Sequence, residues 1–189
     1  MQFTPNIKER YAAALRILIT HRIIKGEVTP KNKKLLKIIT VFSHLVRKET
    51  NQNVNLFKNA EKLLQYALQK LKEKGVLLKY KINREQNYKV DYNLLKLLIL
   101  ELVTNPTQSI VYLQIKFLND RMIFVVKNAN LSKISKCLAK KLKANLIKIR
   151  GESNFAVMLS APCVLNENLI EDYEDYKNPF STVNIMLFE

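Results

Sequence analysis

Hydrophobic residues recur at helical spacing through the first quarter of the chain. After a helix start signal at Thr4-Pro5, the apolar residues from Ile7 to about Lys25 fall on one stripe. From Lys31 to about Lys48 a second apolar face follows the turn at Gly26 to Pro30. The first stripe consists of Ile7, Tyr11, Ala14, Leu15 and Leu18, and the second of Leu35, Ile38, Ile39, Phe42, Leu45 and Val46. This spacing predicts a hairpin of two helices.

A hairpin of two helices is too thin to enclose a core of its own. Pairing with a second copy into a four-helix bundle would bury both stripes, so residues 1–53 are predicted to be a dimerisation region. Packing of the hairpin on the rest of the same chain is the alternative that the sequence leaves open.

The pattern over residues 54–162 mixes helices with strands. Helices are predicted at Leu56 to Lys74, Asp91 to Thr104 and Ser132 to Lys143. Strands are predicted at Val76 to Ile82, Ile110 to Leu118, Met122 to Val126, Leu146 to Ile149 and Phe155 to Leu159, with a turn at Gly151 to Asn154 before the last. The fold class is therefore predicted to be α+β, with helices and strands sharing one sheet after the helical hairpin.

Charge divides the chain into a basic body and an acidic tail. Residues 1–160 carry 31 Lys and Arg against 10 Asp and Glu, whereas residues 163–189 are acidic and include Val183 to Leu187, which alternate as a last strand would. A basic body attracts acidic partners, which include nucleic acids, anionic membranes and acidic proteins. A solvated, lysine-rich surface is the plainer alternative.

Other features narrow the class of protein. The longest apolar run, near Leu94 to Val103, is broken by Lys96 and Glu101, so no membrane insertion is expected and a cytoplasmic location is predicted. Cys137 and Cys163 have no metal-ligand spacing and are predicted to be buried thiols. We expect neither a metal nor a cofactor.

The stretch Leu98 to Asn105 places Glu101 and Asn105 four residues apart, on one face of a helix. It is similar to the N-box of the gyrase, Hsp90, histidine-kinase and MutL superfamily. The order of elements from Leu56 to Pro162 resembles the ATPase domain of bacterial histidine kinases, which implies an α/β sandwich with a mixed sheet. In that family this asparagine holds magnesium against the nucleotide phosphates. Taken alone, the E-x-x-x-N spacing is also common on ordinary helix surfaces.

The sequence departs from this family at the nucleotide motifs. Phe124 to Asn130 replaces the family's D-x-G-x-G motif and puts Lys127 at the adenine-binding position, and Leu131 leads into the next helix without a lid. The 3 glycines of the chain cannot form a glycine-rich phosphate loop. Glu101 and Asn105 are therefore predicted to be an inactive remnant, and an active kinase or ATPase is not expected.

A helical hairpin before a nucleotide-free kinase-like domain is similar to the sporulation and phosphorelay histidine phosphotransferases. In those proteins a histidine on the bundle carries the phosphoryl group. Both histidines of this chain lie in the hairpin, with His21 beside Arg22 as the first candidate acceptor and His44 as the second. Ordinary surface histidines are the default alternative.

The resemblance implies a homodimeric signal-transduction protein. Such a protein would exchange phosphoryl groups with, or dock, an acidic partner of the response-regulator type. The alternative is a basic regulatory protein that binds nucleic acid, because a net charge of +16 could neutralise many phosphates. No zinc finger, aromatic RNA-binding motif or recognition helix is present to support that alternative.

Overall fold

A computed structural model describes residues 6–83, 86–149, 153–165 and 168–188, which form two compact units. One unit comprises residues 6–49 and 174–188, and the other comprises the described residues between 50 and 173. In chain order the elements are α1 (Ile7–Ile24), α2 (Pro30–Val46), β1 (Gln52–Asn55), α3 (Leu56–Glu73), β2 (Leu77–Ile82), β3 (Asn87–Val90), α4 (Tyr92–Val103), β4 (Ile110–Leu118), β5 (Arg121–Lys127), α5 (Lys133–Lys141), β6 (Asn145–Lys148), β7 (Asn154–Ser160) and α6 (Thr182–Met186).

The first unit contains the helical hairpin that the sequence predicts. Asn6 and Glu9 form a capping box that begins α1, and the Thr29 side chain caps α2 ahead of Pro30. The predicted Thr4-Pro5 start signal lies outside the described residues. Gly26 takes a φ of +93° in the turn between the helices, a conformation that a residue without a Cβ adopts at little cost.

The stripe that packs inside this unit shares only Leu15 and Ile39 with the predicted stripes. Leu15, Ile19 and Ile23 of α1 meet Leu36 and Ile39 of α2. Most of the predicted residues face outward, so each helix has two apolar faces. The outward set includes Ile7, Tyr11, Leu18, Leu35, Ile38 and Phe42.

The prediction of a last strand at Val183 to Leu187 is wrong. The segment forms the short helix α6, which Ser181 begins by accepting a hydrogen bond from the Asn184 amide. Ile185 joins the hairpin core and is completely buried. The apolar residues of this segment fit both the two-residue period of a strand and the helical period. The N-cap and the burial against the hairpin favour the helix.

The second unit confirms the α+β prediction. Its main sheet has five strands in the order β2-β4-β5-β7-β6, in which β2 runs parallel to β4 and the other pairs are antiparallel. The short strands β1 and β3 pair separately, and the sequence pattern did not predict them. Part of the predicted turn at Gly151 to Asn154 lies outside the described residues.

Helices α3, α4 and α5 supply the layer that positions the site. Every residue of α4 except Asn93 is buried, because the helix has packed neighbours on both sides in this layer and the sheet beneath it. On the sheet, Leu113, Phe117 and Phe124 point inward and are almost fully buried. Polar side chains on α4 must therefore find partners within the fold.

Two further observations concern the surface. Cys137 and Cys163 are free and exposed, so the prediction of buried thiols is wrong. Within the ranges that the structure describes, no helix combines the length and the apolar character needed to cross a membrane.

Candidate functional site

Glu101 lies in the last turn of α4 and is only 2% exposed. The helix ends directly after it, with Thr104 as the C-cap, so Asn105 follows in the next turn of the chain and is partly exposed. The structure thus brings both N-box-like residues to one place, the carboxyl end of α4.

The two side chains bind each other. Asn105 Nδ2 donates to Glu101 Oε1 at 3.2 Å and to the Glu101 carbonyl oxygen at 3.3 Å. Thr104 Oγ1 lies 3.4 Å from Glu101 Oε2. The side-chain amide of Asn105 therefore donates its hydrogen bonds to Glu101, four residues earlier at the same end of the helix.

The strongest contact to Glu101 comes from a segment distant in sequence. Ser132 Oγ donates to Glu101 Oε1 at 2.6 Å, a separation typical of a hydroxyl bound to a carboxylate. Ser132 also caps α5, because its Oγ accepts from the Ser135 amide at 2.9 Å. One hydroxyl therefore connects the end of α4 to the beginning of α5.

The backbone between β5 and α5 covers the end of α4. The Asn130 amide donates to the Asn105 carbonyl at 2.9 Å, and Pro106 forms an isolated bridge with Ala129. Asn128 adopts a φ of +63°, and its side-chain amide donates to the Ile110 carbonyl at 2.9 Å. Only the five residues Asn128–Ser132 join these elements, so no segment of lid length separates them.

Lys127 does not lie in this cluster. It is exposed at the end of β5, where outward and buried side chains alternate, and it pairs with Tyr112 in register. Because Val126 points to the helices, Lys127 points to the opposite face of the sheet. Lys127 therefore lies on the face of the sheet opposite the helices, and its assignment to the adenine-binding position stays a prediction.

The candidate acceptors occupy separate places in the helical hairpin. His21 is exposed in the last turn of α1, beside Arg22, and His44 is half-buried in the last turn of α2. The start of α1 lies beside the end of α2, where Ile7 and Val46 line one cavity. The two histidines are consequently at opposite ends of an antiparallel hairpin.

A second buried polar cluster joins α4 to the chain near its carboxyl end. Lys96 Nζ lies 2.9 Å from Asp172 Oδ1, with both side chains at most 6% exposed. Tyr92 donates its hydroxyl to Asp172 Oδ2 at 3.1 Å, and Lys62 Nζ donates to the Asp172 carbonyl at 2.9 Å. Asp172 is therefore a buried structural residue within the predicted acidic tail.

Sequence reasoning did not identify Ser132, Thr104 or Asp172. Ser132 carries a recognisable signal as a helix N-cap, with Ser135 three residues later. Its second role, the hydrogen bond to Glu101, cannot be predicted from the sequence because the two residues are 31 positions apart. That contact depends on how α5 packs against α4.

Comparisons with known proteins identify the fold. No protein-family model and no curated protein sequence matches the chain. Among solved structures, full-length ShkA in complex with AMPPNP is matched with a TM-score of 0.60 and 11% identity, over 86% of this chain and 46% of ShkA. The chain thus spans less than half of ShkA.

Two proteins named as histidine kinases match with lower TM-scores. The Acinetobacter baumannii histidine kinase AdeS gives a TM-score of 0.49 at 14% identity, covering 80% of this chain and 95% of AdeS. The catalytic domain of the histidine kinase ThkA gives a TM-score of 0.49 at 10% identity, covering 60% of this chain and 97% of the ThkA domain. On the ShkA match, the class that the structure defines is a protein with the histidine-kinase fold.

Proposed function

We propose that this chain is a signal-transduction protein with the histidine-kinase fold that does not bind ATP, and that exchanges phosphoryl groups with, or docks, an acidic response-regulator-type partner. The observation that carries the proposal is the closed contact among Glu101, Asn105 and Ser132. Full-length ShkA forms a complex with AMPPNP, whereas the N-box-like pair of this chain is occupied by side chains of the same chain.

The chemistry of magnesium supports this proposal. Mg²⁺ requires oxygen ligands in near-octahedral geometry, together with the phosphates that it bridges. Asn105 keeps its side-chain oxygen, the atom through which an asparagine binds Mg²⁺, but the Glu101 carboxylate already accepts hydrogen bonds from Asn105 and Ser132. The five-residue connection between β5 and α5 supplies neither a lid nor a glycine-rich loop over a triphosphate.

The hairpin offers the acceptor for phosphotransfer. In the proposed reaction, the neutral imidazole of His21 attacks the phosphorus of an aspartyl phosphate on the partner; a P–N bond forms as the P–O bond breaks and the aspartate leaves as a carboxylate. His21 suits this role better than His44 because it is exposed and is followed in the sequence by Arg22. The proton on the second ring nitrogen offsets part of the new negative charge.

Self-association of the hairpin belongs to the same proposal. On α1 the outward stripe of Ile7, Tyr11 and Leu18 is 86%, 62% and 52% exposed. By helical geometry this stripe lies about 110° from the buried one. Helices of a four-helix bundle contact two neighbours, so two apolar faces at this angle suit a bundle formed with a second copy.

Two measurements test the proposal. Calorimetry with MgATP, at protein concentrations that would detect a Kd of about 100 μM, is expected to show no binding; saturable, magnesium-dependent binding would contradict the loss of the site. Separately, a phosphorylated response regulator labelled with ³²P is mixed with wild-type protein, His21→Ala and His44→Ala. Label on wild type and on His44→Ala but not on His21→Ala supports transfer through His21, and label on no variant limits the role to docking.

A further inference from the structure

In the part of the chain that the structure describes, the face of the main sheet opposite the helices carries basic side chains and no acidic ones. We call it the open face, and it consists of the outward side chains of β2, β4, β5 and β7. Its cations are Lys79, Lys81, Lys116, Arg121 and Lys127. None of the five strands contains Asp or Glu, and the nearest acid along these strands, Asp120, sits in a turn 3.9 Å from the side chain of Arg121.

The strand register arranges these cations around one exposed aromatic ring. Lys79 of β2 pairs with Tyr112 of β4, and Tyr112 pairs with Lys127 of β5. Lys79 Nζ lies 5.8 Å from the centroid of the Tyr112 ring, which is part of a side chain 40% exposed. A shallow cavity of about 360 Å³ lies over this row and extends to Gln114 and Val125.

We infer that the open face binds single-stranded nucleic acid, with phosphates on the lysines and a base against Tyr112. Sheet surfaces of this kind bind single strands by combining cations with an aromatic ring on which a base stacks. Gln114, which pairs in register with Lys81, offers an amide group of the type that hydrogen-bonds to base edges.

The single sign of the charge favours a nucleic acid over an acidic protein. An acidic protein still carries scattered Lys and Arg, so a surface that binds it would include some carboxylates. A nucleic acid carries a negative charge at every nucleotide, so a surface that binds it needs only cations. The side chains of the open face belong to strands of one sheet, whereas the major groove of a duplex is entered by a helix or a two-stranded ribbon. A single strand is the polyanion that can lie across it.

The test measures fluorescence anisotropy of labelled 20-nucleotide oligo(U) and oligo(dT) across a salt series. The double variant Lys79→Gln/Lys127→Gln should reduce the slope of log K against log salt by about 1.4, since each phosphate contact on a single strand contributes about 0.7. The matched control Lys133→Gln/Lys136→Gln removes the same charge from exposed positions of α5 and should leave the slope near the wild-type value.

A third variant tests the ring. Tyr112→Leu should weaken binding about fivefold or more with an unchanged salt slope, whereas Tyr112→Phe should retain wild-type affinity, because stacking needs the ring and not the hydroxyl. Thermal melting of each variant verifies that it is folded. Equal losses in the sheet and α5 variants, or binding of labelled poly-glutamate as tight as that of oligo(U), would overturn the inference. MgATP calorimetry and phosphotransfer do not depend on this result, so the two proposals can fail separately.

Discussion

The hydroxyl of Ser132 lies 2.6 Å from the carboxylate of Glu101, so the residue that begins α5 also binds a buried carboxylate at the end of α4. Replacing Ser132 with Ala removes a donor to a buried carboxylate and the N-cap of α5. We expect the free energy of unfolding to fall by about 2 to 3 kcal/mol in urea denaturation. Ser132→Thr keeps both contacts and should lose much less; equal losses in the two variants would mean that the hydroxyl contributes little.

The buried pair of Lys96 and Asp172 gives a second prediction. Replacing Asp172 with Ala leaves the Lys96 ammonium buried without its carboxylate partner, and we expect a loss of about 3 to 5 kcal/mol. The double replacement Lys96→Met/Asp172→Leu should recover a substantial part of that loss, because no buried charge remains. Urea denaturation measures all three proteins.

The control for this pair is Glu73→Gln, which breaks an exposed ion pair with Lys70 at 3.5 Å. Its stability should stay within about 0.5 kcal/mol of wild type. If Asp172→Ala were no more destabilising than Glu73→Gln, burial of the ion pair would not matter to this fold.

Self-association should depend on the outward stripe of the hairpin. Leu18→Glu places a charge in the proposed contact between copies, and sedimentation velocity is expected to show a shift from dimer to monomer. Ala13→Glu introduces the same charge at an exposed position of α1 away from both apolar faces, and should leave the dimer intact. A monomeric wild type, or a dimer that persists in Leu18→Glu, would contradict the four-helix bundle.

Tyr80 predicts how stability changes at alkaline pH. Burial raises the pKa of its phenol, and the carboxylate of Glu61 raises that pKa further, while a hydrogen bond with Gln65 opposes the shift. Because the folded pKa is above the unfolded value of about 10, the contribution is fully present below pH 10 and is lost as pH rises through the folded pKa. The difference in unfolding free energy between wild type and Tyr80→Phe should therefore be constant at neutral pH and decline above about pH 10.

Glu61→Gln is the companion variant, because it removes the second cause of the shift. Its alkaline decline, measured against Glu61→Gln/Tyr80→Phe, should be smaller than that of wild type. The 7 other tyrosines titrate in every protein compared, so they cancel in each difference. A wild-type difference that stays flat through pH 12 would show that Tyr80 ionises equally in both states.

Local sequence patterns were sufficient for most of the elements. The alternation in Ile110 to Leu118 and the helical period around Leu98 each match the observed β4 and α4, since period and apolar content belong to the segment itself. β1 and β3 are only 4 residues each, which is too short for alternation to be recognised, and they exist because they pair with each other. The Val183 segment likewise became helix through its cap and its packing on the hairpin.

The amino-acid sequence by itself determined the α+β class, the helical hairpin, the basic charge and the lack of a glycine-rich loop, because composition and periodicity are properties of the chain. Only the tertiary structure decided that Ser132 closes on Glu101, that Asp172 pairs with Lys96 and that Lys127 faces away from the helices. Those relationships join residues 31 and 76 positions apart, or depend on which face of a strand a side chain occupies. The packing of the elements decides the long-range contacts and the face of the strand, and no local sequence pattern predicts either of them.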